Sequence, residues 1–379
     1  MKKWCVGALW MLCAVMLFGI SASAESESAD YSVLPEQYVA LEEYVPEELS
    51  SLLPTGLFSS DAEQVQQALA QLTSFAGVVR LLMRLCGLQL GEIGGVLASV
   101  CGLLMLCALM RSLSNTWGVA WAGYAPRLCL FAAVAAAGYS SVEKMVEYFD
   151  ALRTLMDGLM PMMSVMYILG GNITRATAGN ATLSVALRVC SDVCGSMAPP
   201  LFGTCMAMTL PCVMEAQPDL SRISGFLKKA YTSVLGILTL LLTLCLSAQT
   251  LLATRADSVA MRSGRYAIGQ LIPVVGGALS GSLDTLAAGV GMLRVLAGGC
   301  GVLLLVLTCL PVLVQMLALR MLFDLGAGLA HLMGCTPESV FLGEASSLFG
   351  YMTAAVAMCT VVFIIAVGAF AACAAAWVS

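Results

Sequence analysis

The sequence has few charged residues, and this shortage excludes most classes of soluble protein. Only 11% of its 379 residues are Asp, Glu, Lys or Arg, and 60% are hydrophobic, whereas a soluble domain carries about 25% charged residues. The mean hydropathy is +0.91. No basic patch of the kind that nucleic-acid binding requires is present. The sequence therefore predicts a lipid bilayer as a partner and no nucleic acid.

Residues that carry catalysis or bind cofactors are also scarce. His331 is the only histidine, which excludes a zinc site of the His-x-x-x-His type. The lysines that follow the first three residues, Lys144, Lys228 and Lys229, do not close a Gly-x-x-x-x-Gly-Lys-Ser/Thr loop, so ATP binding by a P-loop is excluded. The sequence predicts that the protein is not an enzyme, with no catalytic, cofactor-binding or metal-binding residues.

Lysine, arginine and cysteine are all missing from residues 25–79, although this segment holds ten acidic side chains. The sixteen cysteines of the chain lie in front of it or in and near apolar runs, where a cysteine packs as a small apolar side chain. An acidic, proline-containing segment of this kind is typical of an extended, soluble tether.

The first 24 residues have the pattern of a cleavable signal peptide. Lys2 and Lys3 precede an apolar run at 4–20, and Ala22 and Ala24 supply the small residues that precede a cleavage point. The alternative is an uncleaved first anchor. Cleavage places the acidic segment on the outer face of the membrane.

Four regions follow from this pattern. They are the signal peptide at 1–24, an acidic exoplasmic tether at 25–60, an amphipathic interfacial helix at 61–84, and a multi-span membrane domain at 85–379. The interfacial helix is predicted because Ser60 and Glu63 form a capping box, in which each side chain satisfies a free backbone amide.

Apolar runs predict an all-α polytopic membrane protein with about seven transmembrane helices. A helix needs about 20 residues to cross the hydrocarbon core, and the runs at 230–254 and 295–319 meet this requirement most clearly. Several runs contain proline, so some helices are predicted to be broken or re-entrant. The seven runs are 93–110, 128–142, 155–171, 193–214, 230–254, 295–319 and 345–379.

Basic residues near the ends of these runs predict the orientation. With the tether outside, alternating spans place Arg111, Arg127 and the C-terminus in the cytoplasm, which requires the turn before the last span to be outside. The same alternation places Arg222, Lys228 and Lys229 outside, against the positive-inside bias. Either these three lie on an interfacial helix or one of the runs is re-entrant.

Charged residues next to apolar runs are costly in lipid and suggest functional positions. Arg188 and Asp192 are four residues apart, as are Arg320 and Asp324, so each couple has the spacing of a pair on one helix face. They are predicted to fix helix ends at the headgroup level, or else to line a polar path or a subunit contact.

The best re-entrant pattern is at 266–283, whose middle reads Ile-Pro-Val-Val-Gly-Gly. The backbone groups that proline frees there need protein or a watery cavity as partners, and small residues four apart permit close helix contact. The candidate residues for a pathway or a subunit contact are Pro273, Gly276, Gly277, Gly281, Asp284, Arg262 and Arg265.

The chain resembles the stage III sporulation protein AE family of endospore-forming bacteria. The resemblance rests on Arg-Ser-Gly-Arg-Tyr-Ala at 262–267, the Pro-Val-Val-Gly-Gly segment, Asp284-Thr285, and a long glycine-punctuated span that ends at Leu310-Pro311. It covers most of the chain from about residue 60, and the acidic front matches only in type. The family has no assigned catalytic residues, so none is carried over.

The resemblance implies a non-enzymatic membrane subunit of the mother cell-forespore channel complex, sometimes called a feeding tube. This complex supports forespore development and late forespore gene expression. The implied location is the mother-cell membrane that surrounds the forespore. The implied partners are other proteins of the stage III sporulation operon, including an ATPase-like subunit and ring-forming proteins.

A stand-alone secondary transporter, or permease, is the alternative hypothesis. It is motivated by proline-interrupted runs with charges nearby, as in transporters with discontinuous helices. The prolines are Pro161, Pro199, Pro200, Pro273 and Pro311.

Overall fold

A computed structural model of the protein describes residues 57, 59, 64–65, 67–68, 75–117, 124–169, 181, 184–185, 188–189, 192–214, 222–244 and 276–372. The regular structure in these ranges is helical throughout. The predicted signal peptide, nearly all of the acidic tether, and the candidate residues Arg262, Arg265 and Pro273 lie outside the described residues.

Six helices in these ranges are long and apolar enough to cross a membrane. This confirms the predicted all-α, multi-span class at the level of helix type and membrane-crossing length. The helices are α1 (Phe75–Trp117), α2 (Tyr124–Leu169), α3 (Met197–Val213, after one π-helical turn at Asp192–Ser196), α4 (described over Arg222–Leu244), α5 (Gly276–Leu332) and α6 (Thr336–Ala372).

Two of the seven predicted spans belong to a single helix. The run at 128–142 and residues 155–169 of the run at 155–171 both lie within α2, because the charged stretch between them stays helical. In that stretch Glu147 and Asp150 are exposed, whereas Tyr148 and Phe149 are buried. Charge therefore interrupts the apolar pattern on one face of the helix only, and the described ranges hold six candidate spans instead of seven.

Several helices are much longer than a bilayer is thick. With a rise of about 1.5 Å per residue, α2 (46 residues) and α5 (57 residues) extend over about 70 and 85 Å. The hydrocarbon core is only about 30 Å thick, so these helices continue beyond it. Helix α1 likewise passes without a break through residue 84, where the sequence placed the end of an interfacial helix.

Proline does not interrupt the described helices. Pro161 lies inside α2, Pro200 and Pro211 lie inside α3, and Pro311 lies inside α5. Proline is tolerated in membrane helices when neighbouring groups satisfy the freed backbone. The predicted break at Pro273 falls outside the described residues.

Helices α5 and α6 form an antiparallel hairpin, closed by a turn at 333–335. Gly334 has a φ of 76°, in the left-handed region that glycine adopts without steric cost. Its amide donates to the His331 carbonyl at 3.1 Å, and the Cys335 amide donates to the Ala330 carbonyl at 2.9 Å. This is the Schellman pattern that ends helices. We call residues 331–338 the hairpin tip.

The hairpin also carries the most buried aromatic side chains. The ring of Phe349 on α6 lies 5.4 Å from the ring of Phe323 on α5 and 6.1 Å from that of Phe202 on α3, measured between centroids. By contrast, Leu109 on α1 and Leu244 on α4 are each 62% exposed. Helix α6 therefore lies at the centre of the described bundle, and α1 and α4 present leucine at its surface.

Helices α2 and α3 approach closely at Gly138. A Cβ atom added there would overlap Cζ of Phe202. Replacing Gly138 with leucine is expected to force the helices apart and to lower the free energy of unfolding by about 1–3 kcal/mol. The midpoint of thermal unfolding in detergent measures this loss. Gly102→Leu on α1 is the control, because nothing lies within 4 Å of its added Cβ, and equal losses in both variants would contradict the prediction.

Candidate functional site: two charged layers along the final helix

Charged side chains in contact inside the helix bundle are the best candidates for a functional site. Ionisable groups in membrane helices are costly and point to function by default. Two acidic residues of α6, Glu338 and Glu344, each pair with a basic residue from another helix. We name the first group the tip layer (Arg111, Arg127, Gly334 and Glu338) and the second the inner layer (Lys228, Arg320, Asp324, Glu344 and Ser346).

The tip layer is built around a buried ion pair between α2 and α6. Nε of Arg127 donates to Oε1 of Glu338 at 2.9 Å, and the two side chains are 9% and 1% exposed. Cζ of Arg127 also lies 5.8 Å from the centre of the Tyr124 ring, within cation–π range. Glu338 occupies the first turn of α6, where the helix dipole favours a negative charge.

Arg111 connects α1 to the same end of the bundle. Its Nη1 donates to the carbonyl oxygen of Gly334 at 2.6 Å. Arg111 and Arg127 therefore contact the turn that precedes the last span. The predicted alternation, which placed that turn on the opposite face from both arginines, is wrong because it counted α2 as two spans.

The thiol of Cys335 lies between the two helices of the hairpin at the tip layer. Burial raises the pKa of this thiol, and the negative charge of Glu338 raises it further. Cys335 is therefore held in its neutral form. Among the residues that the structure describes, no group of three or more His, Cys, Asp or Glu could hold a metal ion.

The inner layer is built around a second ion pair, between α4 and α6. Nζ of Lys228 lies 2.6 Å from Oε2 of Glu344 and 3.3 Å from its carbonyl oxygen. The Lys228 side chain is only 2% exposed, and that of Glu344 is 28% exposed. The neighbouring Lys229 is exposed. The interfacial-helix interpretation therefore fails for Lys228, which faces the inside of the bundle.

Lys228 belongs to a buried polar stripe on α4. Ser224, Lys228 and Tyr231 are all buried, and their spacing of four and three residues places them on one helix face. The hydroxyl of Tyr231 has no hydrogen-bond partner among the described side chains and backbone groups. This stripe was detectable in the sequence as polar residues at helical spacing beside an apolar run.

Arg320 and Asp324 connect α5 to α6 in the inner layer. Oδ1 of Asp324 accepts a hydrogen bond from Ser346 Oγ at 2.8 Å. A Cβ on Gly350 would lie 3.0 Å from Nη1 of Arg320, so the absence of a side chain there makes room for the guanidinium. Both residues reach across to the final helix.

The predicted pathway residues do not lie in these layers. Gly276, Gly277, Gly281 and Asp284 occupy the first turns of α5, where the structure describes the backbone only. At about 1.5 Å per residue they lie about 70 to 85 Å along the helix from the hairpin tip. Their role in a pathway or subunit contact stays a prediction.

Glu338 and Glu344 were not among the predicted site residues. The apolar run of the last span begins at 345, so the preceding residues resembled a polar loop. A helix start was nevertheless visible in the sequence, since Gly334 is followed by Thr336-Pro337-Glu338. Glycine after one helix, then proline and an acidic residue in the first turn of the next, is the expected signal.

The chain is similar to known proteins over a range that includes both charged layers and all six described helices. No solved structure matches the chain. Stage III sporulation protein AE of Bacillus subtilis (strain 168) is 18% identical over 274 residues, which are 71% of this chain and 69% of that protein. The sequence profile of the family described as Stage III sporulation protein AE matches residues 61–374. Because this match extends over most of its length, the chain belongs to the Stage III sporulation protein AE family.

Proposed function

We propose that the protein is a non-enzymatic membrane subunit of the channel complex that links the mother cell to the forespore. The observation that carries this proposal is the family match over residues 61–374, a range that includes the six candidate membrane spans. Both layers contain an ion pair between α6 and another helix, an arrangement suited to fastening helices. The protein thereby contributes to forespore development and late forespore gene expression.

The proposed location is the mother-cell membrane around the forespore, with the chain crossing it several times. The proposed partners are other stage III sporulation proteins, including an ATPase-like subunit and ring-forming proteins. The sequence contains no P-loop, which agrees with an energy source on another subunit. Helices that continue beyond the bilayer, such as α2 and α5, offer surfaces for these contacts.

We further propose that the signal peptide is cleaved after Ala24, so that the acidic tether at 25–60 lies outside. Helix α1 then carries the chain from the tether's side to the hairpin tip, and α2 returns. Helix α4 contacts the inner layer near its beginning, where Lys228 pairs with Glu344. Helix α5 returns to the tip, and the re-entrant segment at 266–283 stays a prediction.

Deleting the gene in the organism that encodes the chain is expected to block sporulation after engulfment. Counts of heat-resistant spores measure the block, and fluorescence microscopy of a membrane dye shows the stage at which it occurs. A second copy of the gene at another locus is the control and is expected to restore the yield. Normal spore yield in the deletion strain would contradict the proposal.

The stand-alone transporter has lost part of its motivation. The prolines at 161, 200 and 311 lie within continuous helices, whereas the transporter hypothesis relied on broken ones. Uptake of a solute by the purified protein alone in liposomes would support it nevertheless. No uptake, together with a sporulation defect in the deletion strain, favours the channel subunit.

A further inference from the structure

Two cysteines from distant parts of the chain contact each other inside the bundle. Sγ of Cys194, in the π-helical turn before α3, lies 3.0 Å from Sγ of Cys359 on α6. Both residues are buried, with exposed fractions of 0% and 1%, and no covalent bond joins their sulfur atoms in the structure. The sulfur atoms are closer than non-bonded sulfur atoms normally approach. A disulfide has an S–S distance of about 2.05 Å, so a shift of about 1 Å would join them.

We propose that Cys194 and Cys359 form a disulfide in the mature protein. The bond fastens the start of α3 to the final helix. A π-helical turn inserts an extra residue into a helix and is frequent at functional positions. Here the turn at Asp192–Ser196 carries Cys194 into the core while Asp192 and Ser196 stay exposed.

The pair lies near the membrane surface opposite the hairpin tip. Cys359 follows Glu338 by 21 residues, or about 30 Å of helix, which is close to the thickness of the hydrocarbon core. The next residue, Thr360, hydrogen-bonds through Oγ1 to the hydroxyl of Tyr148 at 2.7 Å. Tyr148 lies in the charged stretch of α2, between the exposed residues Glu147 and Asp150. The disulfide would therefore form at headgroup level.

The compartment follows from the exported tether of the proposed function, on which this step rests. Helix α1 crosses from the tether's side to the hairpin tip, and α2 crosses back. The start of α3 therefore lies on the tether's side, which is the oxidising side of the membrane. Disulfides form and persist on that side and are rare in the cytoplasm.

The oxidant is the active-site disulfide of an exported thiol-disulfide oxidoreductase. One cysteine, as its thiolate, attacks this disulfide and forms a mixed disulfide, and the second cysteine then displaces the enzyme. The two thiols lose two protons and two electrons in total, and the enzyme's disulfide takes up two electrons and two protons as it becomes a dithiol. Because both sulfur atoms are buried in the finished bundle, exchange takes place before α3 docks against α6.

The test counts disulfide-bonded cysteines in the full chain, taken from membranes of sporulating cells. Cells are quenched in acid, free thiols are blocked with N-ethylmaleimide in detergent, disulfides are reduced, and the released thiols are labelled with polyethylene glycol-maleimide. Two labels per chain are expected in the wild type. Both labels are expected to be lost in Cys194→Ser and in Cys359→Ser.

Cys309→Ser is the matched control and is expected to keep both labels. Its sulfur is also buried and lies 3.0 Å from Oγ1 of Thr360, the residue after Cys359, so the substitution makes the same chemical change in the same part of the core. An unlabelled wild type, or two labels that persist in either cysteine variant, would overturn the proposal. Mass spectrometry of the cross-linked peptide gives a second readout that does not depend on variant folding. Spore yield is scored separately, so a missing disulfide and a missing sporulation role are distinguishable.

Discussion

Glu338→Ala is expected to destabilise the hairpin tip more than any other single change considered for this protein. It removes the carboxylate that pairs with Arg127, whose side chain is only 9% exposed. Removing one member of a buried ion pair costs about 3–5 kcal/mol, because the remaining charge is uncompensated. The midpoint of thermal unfolding in detergent should fall accordingly. The amount of chain in sporulating membranes and the spore yield should fall with it.

Two further variants separate the loss of the pair from the loss of any acidic residue. Glu147→Ala removes an exposed carboxylate from α2, and we expect it to change stability by no more than about 0.5 kcal/mol. The double variant Arg127→Met with Glu338→Leu removes both charges and should recover most of the loss, because apolar replacement of a whole buried pair is often neutral. If Glu338→Ala is no more harmful than Glu147→Ala, the tip layer does not stabilise the bundle.

Lys228→Met is expected to have the second largest effect. It removes the ammonium group that pairs with the carboxylate of Glu344. Because Glu344 is 28% exposed, water screens part of this penalty, and we expect a loss of about 1–3 kcal/mol in the free energy of unfolding. Thermal unfolding in detergent measures the loss, and spore yield reports whether the inner layer matters for function.

The neighbouring lysine provides a matched control for this experiment. Lys229→Met makes the same chemical change one residue further along α4, at an exposed position. We expect it to lie within about 0.5 kcal/mol of the wild type. Equal effects of the two substitutions would mean that the pairing of Lys228 with Glu344 does not hold α4 against α6.

Hydropathy was sufficient to predict the helical, membrane-crossing class of the fold, because lipid permits few alternatives to helices. Hydropathy did not predict that the two apolar runs of α2 belong to one helix. The stretch that contains Glu147 and Asp150 reads as a polar loop when hydropathy is averaged over a window. Its helical periodicity, with Tyr148 and Phe149 facing inwards, carries the correct information instead.

The charged layers could not be predicted from one sequence, because their members are far apart along the chain. Arg127 and Glu338 are separated by 211 residues, and Lys228 and Glu344 by 116. Local spacing pointed instead to Arg320 and Asp324, four residues apart, which both reach to α6. A helix presents such residues to its neighbours as well as to each other, so spacing alone does not identify the partner.

The three-residue turn at 333–335 has a mechanical consequence for the final helix. At most about 3.6 Å of chain per residue is available, so the end of α5 and the start of α6 stay close together in any conformation. The hairpin therefore moves as one unit, and one of its helices cannot slide far past the other. A displacement at the far end of α5 would tilt the whole hairpin. Glu338 and Glu344 would move with it, so both ion pairs would be strained together.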